Sequence, residues 1–143
     1  MKKKLNCVLL VDDNDSDNFI HKRVIEKAGI TDFIGIALNG REAIDFLTTK
    51  WVMRQQESSF PRPALIFLDI NMPLMDGWEF LEEYHMLDED QKGKAVIILL
   101  TTSLNSADIA RTEKTVGSGC FLIKPLTLEI IEDIMQKHFQ EYL

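Results

Sequence analysis

Short apolar runs alternate with amphipathic stretches along the whole chain. Five runs have the length of strands and are apolar at nearly every position, which is typical of strands covered on both faces. They are Leu5–Val11, Phe33–Leu38, Ala64–Leu68, Val96–Leu100 and Cys120–Ile123. Their alternation with helical stretches predicts successive βα units, and therefore an α/β fold with a five-stranded, doubly wound parallel sheet and helices on both faces.

The stretches between these runs predict five helices. The first covers 16–28, with Asp15 or Ser16 as its N-cap and Gly29 as its stop. The remaining helices open at Asn39-Gly40 with an end at Trp51 or Met53, after Asp76-Gly77, at about Ser106 with an end near Val116, and at Thr127. The polar stretch Arg54–Ser59 and Pro61-Arg62-Pro63 follow the second helix, so we expect a long surface loop there, and the role of the segment 51–63 stays open.

Apolar side chains at helical spacing predict which face of each helix packs on the sheet. The predicted core positions are Phe19, Ile20, Val24, Ile25 and Ala28 in the first helix, Ala107, Ile109, Ala110 and Val116 in the fourth, and Leu128, Ile131, Ile134 and Met135 in the fifth. The fourth helix has the fewest large apolar side chains. We therefore expect it to be the least firmly packed of the five.

The length and the net charge of the chain argue against several classes of function. With 143 residues, 45% of them apolar, the chain predicts one domain over 1–143, with no output domain. A net charge of −7 argues against binding to nucleic acid or to an anionic membrane, and favours a protein partner. The apolar run after Lys2 to Lys4 is too short for a signal peptide core or a membrane span, so we expect a cytoplasmic protein.

Polar residues follow four of the predicted strands. They are Asp12-Asp13, Asp69, Thr101-Thr102-Ser103 and Lys124-Pro125. The carboxyl ends of parallel strands form the ligand-binding edge of such sheets, so these side chains are expected to converge. Three carboxylates brought together repel one another, and a hard divalent cation such as Mg²⁺ would relieve that repulsion.

This set of groups is suited to phosphoryl chemistry. Asp69 beside Mg²⁺ could attack phosphorus and form an acyl phosphate, while Lys124 neutralises phosphoryl oxygens and Thr101 donates a hydrogen bond. Taken one at a time, these residues have ordinary structural interpretations, because acidic pairs cap helices and threonine often ends a strand. Their occurrence at four strand ends favours a shared site.

The sequence resembles the response-regulator receiver domains of two-component signalling, including chemotaxis-regulator-like receivers. The resemblance rests on the segments Val11-Asp12-Asp13-Asn14, 69–77, Leu100-Thr101 and 121–125, which occur in the right order and at similar spacing. The extended segment 51–63 is also similar to stand-alone receivers paired with phytochrome-type histidine kinases.

The resemblance implies a role for each matching residue. Asp69 is the phosphoacceptor, Asp12, Asp13 and Asp69 hold Mg²⁺ together with the backbone carbonyl of Asn71, Thr101 is the switch hydroxyl, Phe121 the switch aromatic, Lys124 contacts the phosphoryl group, and a cis peptide joins Lys124 to Pro125. It also implies the flavodoxin-like strand order 2-1-3-4-5. Strands 1 and 5 are then roughly 14 Å apart, so we expect Cys7 and Cys120 to stay thiols.

The implied partners are proteins. A sensor histidine kinase or a histidine phosphotransfer protein supplies the phosphoryl group, and an unidentified target reads the surface formed by helix 4, strand 5 and helix 5. The chain is thus a phosphoacceptor rather than an enzyme, and its oligomeric state, including a homodimer, stays open. Thr102 departs from the family pattern, in which a small residue stands beside the switch hydroxyl, and predicts tighter access to the phosphoryl group.

Three other functions compete with this interpretation. A Mg²⁺-dependent phosphatase with an aspartyl nucleophile needs a general acid two residues after Asp69, where this chain has Asn71. A mononucleotide binder needs a phosphate-binding loop after strand 1, where the run 12–15 is acidic. A receiver-like adaptor that works without phosphorylation would not need the full acidic set. His21, His85 and His138 have no metal-binding spacing and are expected to be solvated or partly packed.

Overall fold

The computed structural model of the chain describes residues 3–56, 62–89, 95–102, 105–117 and 120–143, and for residues 49–56 the backbone alone. In these residues five strands alternate with five α-helices. The elements are β1 (Val8–Val11), α1 (Asp15–Ala28), β2 (Ile34–Ala37), α2 (Gly40–Gln56), β3 (Leu65–Asp69), α3 (Gly77–Met86), β4 (Val96–Thr101), α4 (Ser106–Thr115), β5 (Phe121–Ile123) and α5 (Leu128–His138), followed by a 3₁₀ turn at Gln140–Tyr142.

The strands form one parallel sheet in the order β2-β1-β3-β4-β5, which confirms the predicted fold and strand order. Within the sheet, β1, β3 and β4 are almost fully buried. Their continuous apolar sequences reflect this, because helices cover both faces. Cys7 precedes β1 and Cys120 precedes β5, two further strands lie between β1 and β5, and both cysteines are buried thiols.

Two apolar layers flank the sheet. The first lies between the sheet and helices α1 and α5, and it includes Ile25, Phe67 and Ile131. The second lies on the opposite face under α2 and α3, and it includes Leu47 and Phe80. The sheet is thereby fixed from both sides, with the carboxyl ends of its strands at one edge.

Several predicted boundaries were wrong. The first strand begins at Val8, not Leu5, because Leu5 makes only an isolated bridge with Thr31. The N-cap of α1 is Asn14, whose Oδ1 accepts the backbone N–H of Asp17 at 3.0 Å. Helix α2 continues past Trp51 and Met53 to Gln56, so the predicted loop is shorter at its start. Residues 57–61 of that loop lie outside the described residues.

The predicted inner face of α1 was wrong only in part, since Ile25 is buried and Val24 and Ala28 pack against the core as expected. Phe19 and Ile20 are exposed, whereas Asn18, His21 and Ile25 are buried. The Asn18 side-chain amide donates to the Asp12 carbonyl at 2.8 Å, and this bond sets the rotation of the helix about its axis. His21 is therefore a buried residue rather than a solvated or partly packed one. Burial is the main reason that its pKa is lowered, so it is neutral at pH 7.

Helices α4 and α5 each depart from the predicted core positions. In α4, Ala107 and Ala110 are exposed, and the buried residue is Thr112, whose hydroxyl donates to the Asp108 carbonyl at 2.7 Å. In α5, Leu128 is exposed, while Ile131, Ile134 and Met135 are buried as expected. Helix α4 thus has an even thinner apolar face than its sequence predicts.

Among the described residues, no helix has both the length and the apolar character needed to span a bilayer.

Candidate functional site

Three carboxylates meet where β1 and β3 end. These strands are neighbours with Val11 opposite Leu68, so Asp12 follows β1 beside Asp69, the last residue of β3. One oxygen each from Asp12, Asp13 and Asp69 lies within 4.8 Å of the others. Asp12 is buried, Asp13 is exposed and Asp69 is intermediate, so the cluster opens to solvent on one side.

Lys124 reaches the same cluster from the loop after β5. Its Nζ donates to Asp12 Oδ2 at 2.6 Å and to Asp17 Oδ2 at 2.9 Å, and it lies 3.7 Å from Asp69 Oδ1. The Lys124 backbone N–H also donates to the Thr101 carbonyl at 2.8 Å, which joins the ends of β4 and β5. The Lys124–Pro125 peptide bond is cis in the structure.

The charges of the site are strongly coupled. Burial, followed by repulsion from Asp12, raises the pKa of Asp69 to about 6, although Lys124 acts in the opposite direction. For Lys124, burial opposes the charged form, but the hydrogen bonds to Asp12 and Asp17 outweigh it and raise the pKa. Without a cation, the cluster therefore holds its negative charge at a free-energy cost.

The other predicted site residues surround the cluster at different depths. Thr101 ends β4 and is buried, and its neighbour Thr102 is exposed. Asn71 is exposed in the loop after β3 and follows Asp69 by two residues. Phe121 begins β5, is half-buried, and packs against the apolar layer under α2 and α3.

Close packing fixes the loop between β3 and α3. The backbone N–H of Gly77 donates to the Ile70 carbonyl at 2.8 Å, and a Cβ at Gly77 would lie 2.7 Å from the Asp69 carbonyl oxygen. Asp76 caps α3 through a capping box with Glu79. These contacts explain why Asp76-Gly77 follows the strand end, since a larger residue in place of the glycine would displace Asp69.

Two residues of this region were missed at the sequence level. Asp17 pairs with Lys124, and Asn18 is buried against the Asp12 carbonyl with its own Oδ1 lacking a partner among the described groups. Both follow Asn14 by one helical turn. A helix capped at Asn14 would place both residues in its first turn, next to the end of β1, and this signal was available in the sequence. The apolar Phe19 and Ile20 instead led to the prediction of a different buried face.

The donor set fits a hard cation. Carboxylate oxygens of Asp12, Asp13 and Asp69 converge within the size of a coordination shell, whereas thiol and imidazole groups are absent from the described cluster. Lys124 is the described cation in contact with two of the three carboxylates, and it cannot neutralise three negative charges alone. This arrangement could hold Mg²⁺ and place it beside a carboxylate nucleophile.

Comparison with known proteins agrees with this geometry. A family model described as the response regulator receiver domain matches residues 8–136. The curated response regulator Rcp1 of Synechocystis is 31% identical over 132 residues, which cover 90% of this chain and 83% of Rcp1.

Two solved structures extend the similarity to the fold. A two component response regulator from Cytophaga hutchinsonii has a TM-score of 0.81 and 29% identity, with 94% of this chain and 97% of that chain covered. The bacteriophytochrome response regulator AtBRR has a TM-score of 0.72 and 27% identity, with 93% and 91% covered. Each is similar to this chain over nearly its whole length.

Proposed function

Because this chain belongs to the response regulator receiver domain family, we propose that it accepts a phosphoryl group on Asp69 in a Mg²⁺-dependent reaction. Receiver domains interact with histidine kinases or phosphotransfer proteins. A sensor histidine kinase or a histidine phosphotransfer protein is accordingly the proposed donor. The likeness to a bacteriophytochrome response regulator makes a phytochrome-type kinase the first class to test.

The observation that carries the proposal is the contact between Lys124 and the acidic cluster. Three carboxylates from the ends of β1 and β3 and one largely buried ammonium group from the loop after β5 meet within a few ångströms. Asp69 is the member of this cluster that ends a central strand and whose pKa is raised to about 6. The sheet therefore fixes the position of Asp69, and because pH 7 lies above this pKa its carboxylate is mostly ionised, as a nucleophile must be.

Asp12, Asp13, Asp69 and the backbone carbonyl of Asn71 would hold Mg²⁺. When bound, the ion would supply positive charge next to the phosphoryl oxygens. The protein groups do the rest: a carboxylate oxygen of Asp69 forms the new O–P bond while the bond from phosphorus to the donor breaks. The donor nitrogen or oxygen leaves with that electron pair, and Lys124 stays protonated and faces the added negative charge.

A small phosphodonor tests the reaction without knowledge of the kinase. With acetyl phosphate and Mg²⁺, the parent should gain the mass of one phosphoryl group, and EDTA added before the reaction should prevent this gain. The Asp69→Asn variant should gain no phosphoryl group. Asp45→Asn, at an exposed position on α2, is the matched control and should be labelled like the parent. Labelling of Asp69→Asn at the parent's rate would contradict the proposal.

Metal binding has a separate readout. Mg²⁺ should raise the melting temperature of the parent, because it binds the folded protein and relieves carboxylate repulsion. In Asp13→Ala, the Mg²⁺ concentration that gives half of the increase in melting temperature should be at least tenfold higher than in the parent. An equal response in the two proteins would remove Asp13 from the metal site and leave Asp12 and Asp69.

We also propose that the signal leaves through α4, β5 and α5. Helix α4 is held mainly by Thr112, by the half-buried Ile109 and Val116, and by Arg111, which lies 4.3 Å from the centre of the Trp78 ring. Because the described contacts of α4 are few, a small energetic bias at the end of β4 is enough to displace the helix. Thr101, Phe121 and Lys124 lie at that edge and would transmit the bias.

Hydrogen exchange tests the output surface. Beryllofluoride, a phosphoryl mimic, should change amide protection mainly within residues 105–126, and Thr101→Ala should weaken this response. Since Phe121 lacks a phenolic hydroxyl, no such hydrogen bond can fix its half-buried ring, and we expect a population with the ring turned further into the protein before phosphorylation. Changes confined to α1 and α2 would contradict the proposed surface.

The phosphatase alternative is disfavoured by one residue. The second residue after Asp69 is Asn71, and an amide cannot protonate a leaving alkoxide. A phosphorylation-independent adaptor would be indicated if acetyl phosphate, beryllofluoride and Mg²⁺ all left the protein unchanged. The acetyl phosphate experiment and an assay with small phosphate esters separate these alternatives.

A further inference from the structure

Asp17 lies beside the proposed phosphorylation site but outside its trio of metal-binding carboxylates. Its Oδ2 accepts a hydrogen bond from Lys124 Nζ at 2.9 Å, and Asp12 Oδ2 accepts another at 2.6 Å. The Nζ is 3.7 Å from the nearer oxygen of Asp69, beyond hydrogen-bond distance. In the unphosphorylated protein, Lys124 is therefore bound to the β1 and α1 side of the site.

The position of Asp17 is fixed by the start of α1. Its backbone N–H donates to Asn14 Oδ1 at 3.0 Å, and the next residue, Asn18, donates to the Asp12 carbonyl at 2.8 Å. These bonds tie the first turn of the helix to the end of β1. Because the Lys124 side chain is 9% exposed and that of Asp17 30%, the pair is partly shielded from water. Such a charge-assisted bond is stronger than one on the open surface.

We propose that Asp17 is a positioning residue that holds Lys124 away from Asp69 and thereby slows phosphorylation. This inference rests on the proposed function, in which Lys124 faces the phosphoryl group. To come within hydrogen-bond distance of a phosphoryl oxygen at Asp69, the ammonium group moves toward β3 and stretches its bond to Asp17. Among the described hydrogen bonds, the Asp17 carboxylate accepts from Lys124 and not from the buried His21, one turn further along α1.

The first measurement is the rate of labelling by acetyl phosphate at saturating Mg²⁺. Asp17→Asn keeps the size of the side chain and removes its charge, so the rate should rise three- to tenfold. Asp15→Asn makes the same charge change in the same helical turn at an exposed position, and among the described contacts Lys124 has none with it. Its rate should stay within twofold of the parent. An unchanged or slower rate for Asp17→Asn would overturn the proposal.

A double-mutant comparison separates action through Lys124 from simple repulsion of the anionic donor. In the Lys124→Gln background, Asp17→Asn should no longer change the residual labelling rate. If the increase persists there, repulsion of the donor explains it and the positioning role is wrong. A purely structural effect of the substitution would likewise persist in that background.

Urea unfolding of the same four proteins without metal provides a readout that does not depend on phosphorylation. The effects of Asp17→Asn and Lys124→Gln on the unfolding equilibrium constant should be non-additive by at least threefold. Additive effects would overturn the pairing even in a protein that is phosphorylated normally. A parent that gains no phosphate would refute the proposed function, and the rate effect of Asp17 with it, while non-additive unfolding would still show the ion pair.

Discussion

Substitution of Asp69 by asparagine should stabilise the metal-free protein. The carboxylate stands beside Asp12 and Asp13, and Lys124, 3.7 Å away, offsets the repulsion in part. Asparagine has nearly the same shape and can still accept the backbone hydrogen bond from Ile70 that this position receives. The substitution therefore removes the negative charge of Asp69 and leaves the packing around it almost unchanged. We expect the free energy of unfolding of the metal-free protein to rise.

The size of the effect follows from the pKa of Asp69. Burial and repulsion raise it from 3.8 to about 6, and each tenfold change in proton affinity is worth about 1.4 kcal/mol. The ionised group thus costs the folded state about 3 kcal/mol at pH 7. Since the folded pKa is raised, the cost is absent below pH 3.8, grows between pH 3.8 and 6, and is complete above pH 6.

Urea unfolding in EDTA, followed by tryptophan fluorescence, measures this difference. Asp69→Asn should be more stable than the parent by about 3 kcal/mol at pH 7 and by less than about 1 kcal/mol at pH 4. Asp45→Asn, exposed on α2, should stay within about 0.5 kcal/mol of the parent at both pH values. The comparison between variants removes the contribution of other carboxylates that titrate over the same range.

Two outcomes would refute the reasoning. If Asp69→Asn is no more stable than the parent at pH 7, the carboxylates do not repel one another strongly in the folded protein. If its advantage is the same at pH 4 and pH 7, the gain has a source other than the charge of Asp69. Excess Mg²⁺ should also reduce or reverse the difference, because the parent has the complete carboxylate set.

Two further substitutions test the framework around the site. Gly77→Ala should destabilise the protein by about 1–3 kcal/mol in urea unfolding, because the new Cβ would lie 2.7 Å from the Asp69 carbonyl oxygen, in a backbone that cannot move aside freely. Arg111→Ala should cost about 0.5–1 kcal/mol and speed amide exchange in α4, because it removes the cation above the Trp78 ring. Arg23→Ala, which removes a similar contact on α1, should leave exchange in α4 unchanged.

The sequence was most informative where one physical requirement dominates. Strands such as Leu65–Asp69 are buried on both faces, so nearly every position must be apolar, and the pattern is unambiguous. The convergence of the acidic residues at the strand ends was equally predictable, because a parallel sheet brings the carboxyl ends of its strands to one edge. For these reasons the parallel sheet and the meeting of Asp12, Asp13 and Asp69 were predicted correctly, while the strand order, also correct, came from the family resemblance.

The helix faces were harder, because a polar side chain can be buried when it finds a partner. Asn18 and Thr112 are buried through hydrogen bonds to backbone carbonyls, whereas the apolar Phe19 and Ala110 are exposed. Hydrophobic spacing cannot register such bonds, since it considers only apolar side chains, and the two carbonyls lie on the preceding turn of the same helix for Thr112 and at the end of β1 for Asn18. The same limit explains why Asp17 was missed: its partner Lys124 is 107 residues away in sequence.

These missed contacts bear directly on how the proposed switch would work. The cluster at Asp69 is costly when ionised, α4 is attached by few apolar side chains, and Lys124 is shared between β1 and α1. A new negative group at Asp69 would draw Lys124 toward β3, and the Lys124 backbone N–H is bonded to the carbonyl of Thr101, at the end of β4. Movement of one lysine therefore changes forces on the strand that leads to α4. Since α4 has little packing to resist, a modest difference in interaction energy between the two states is enough to shift its population.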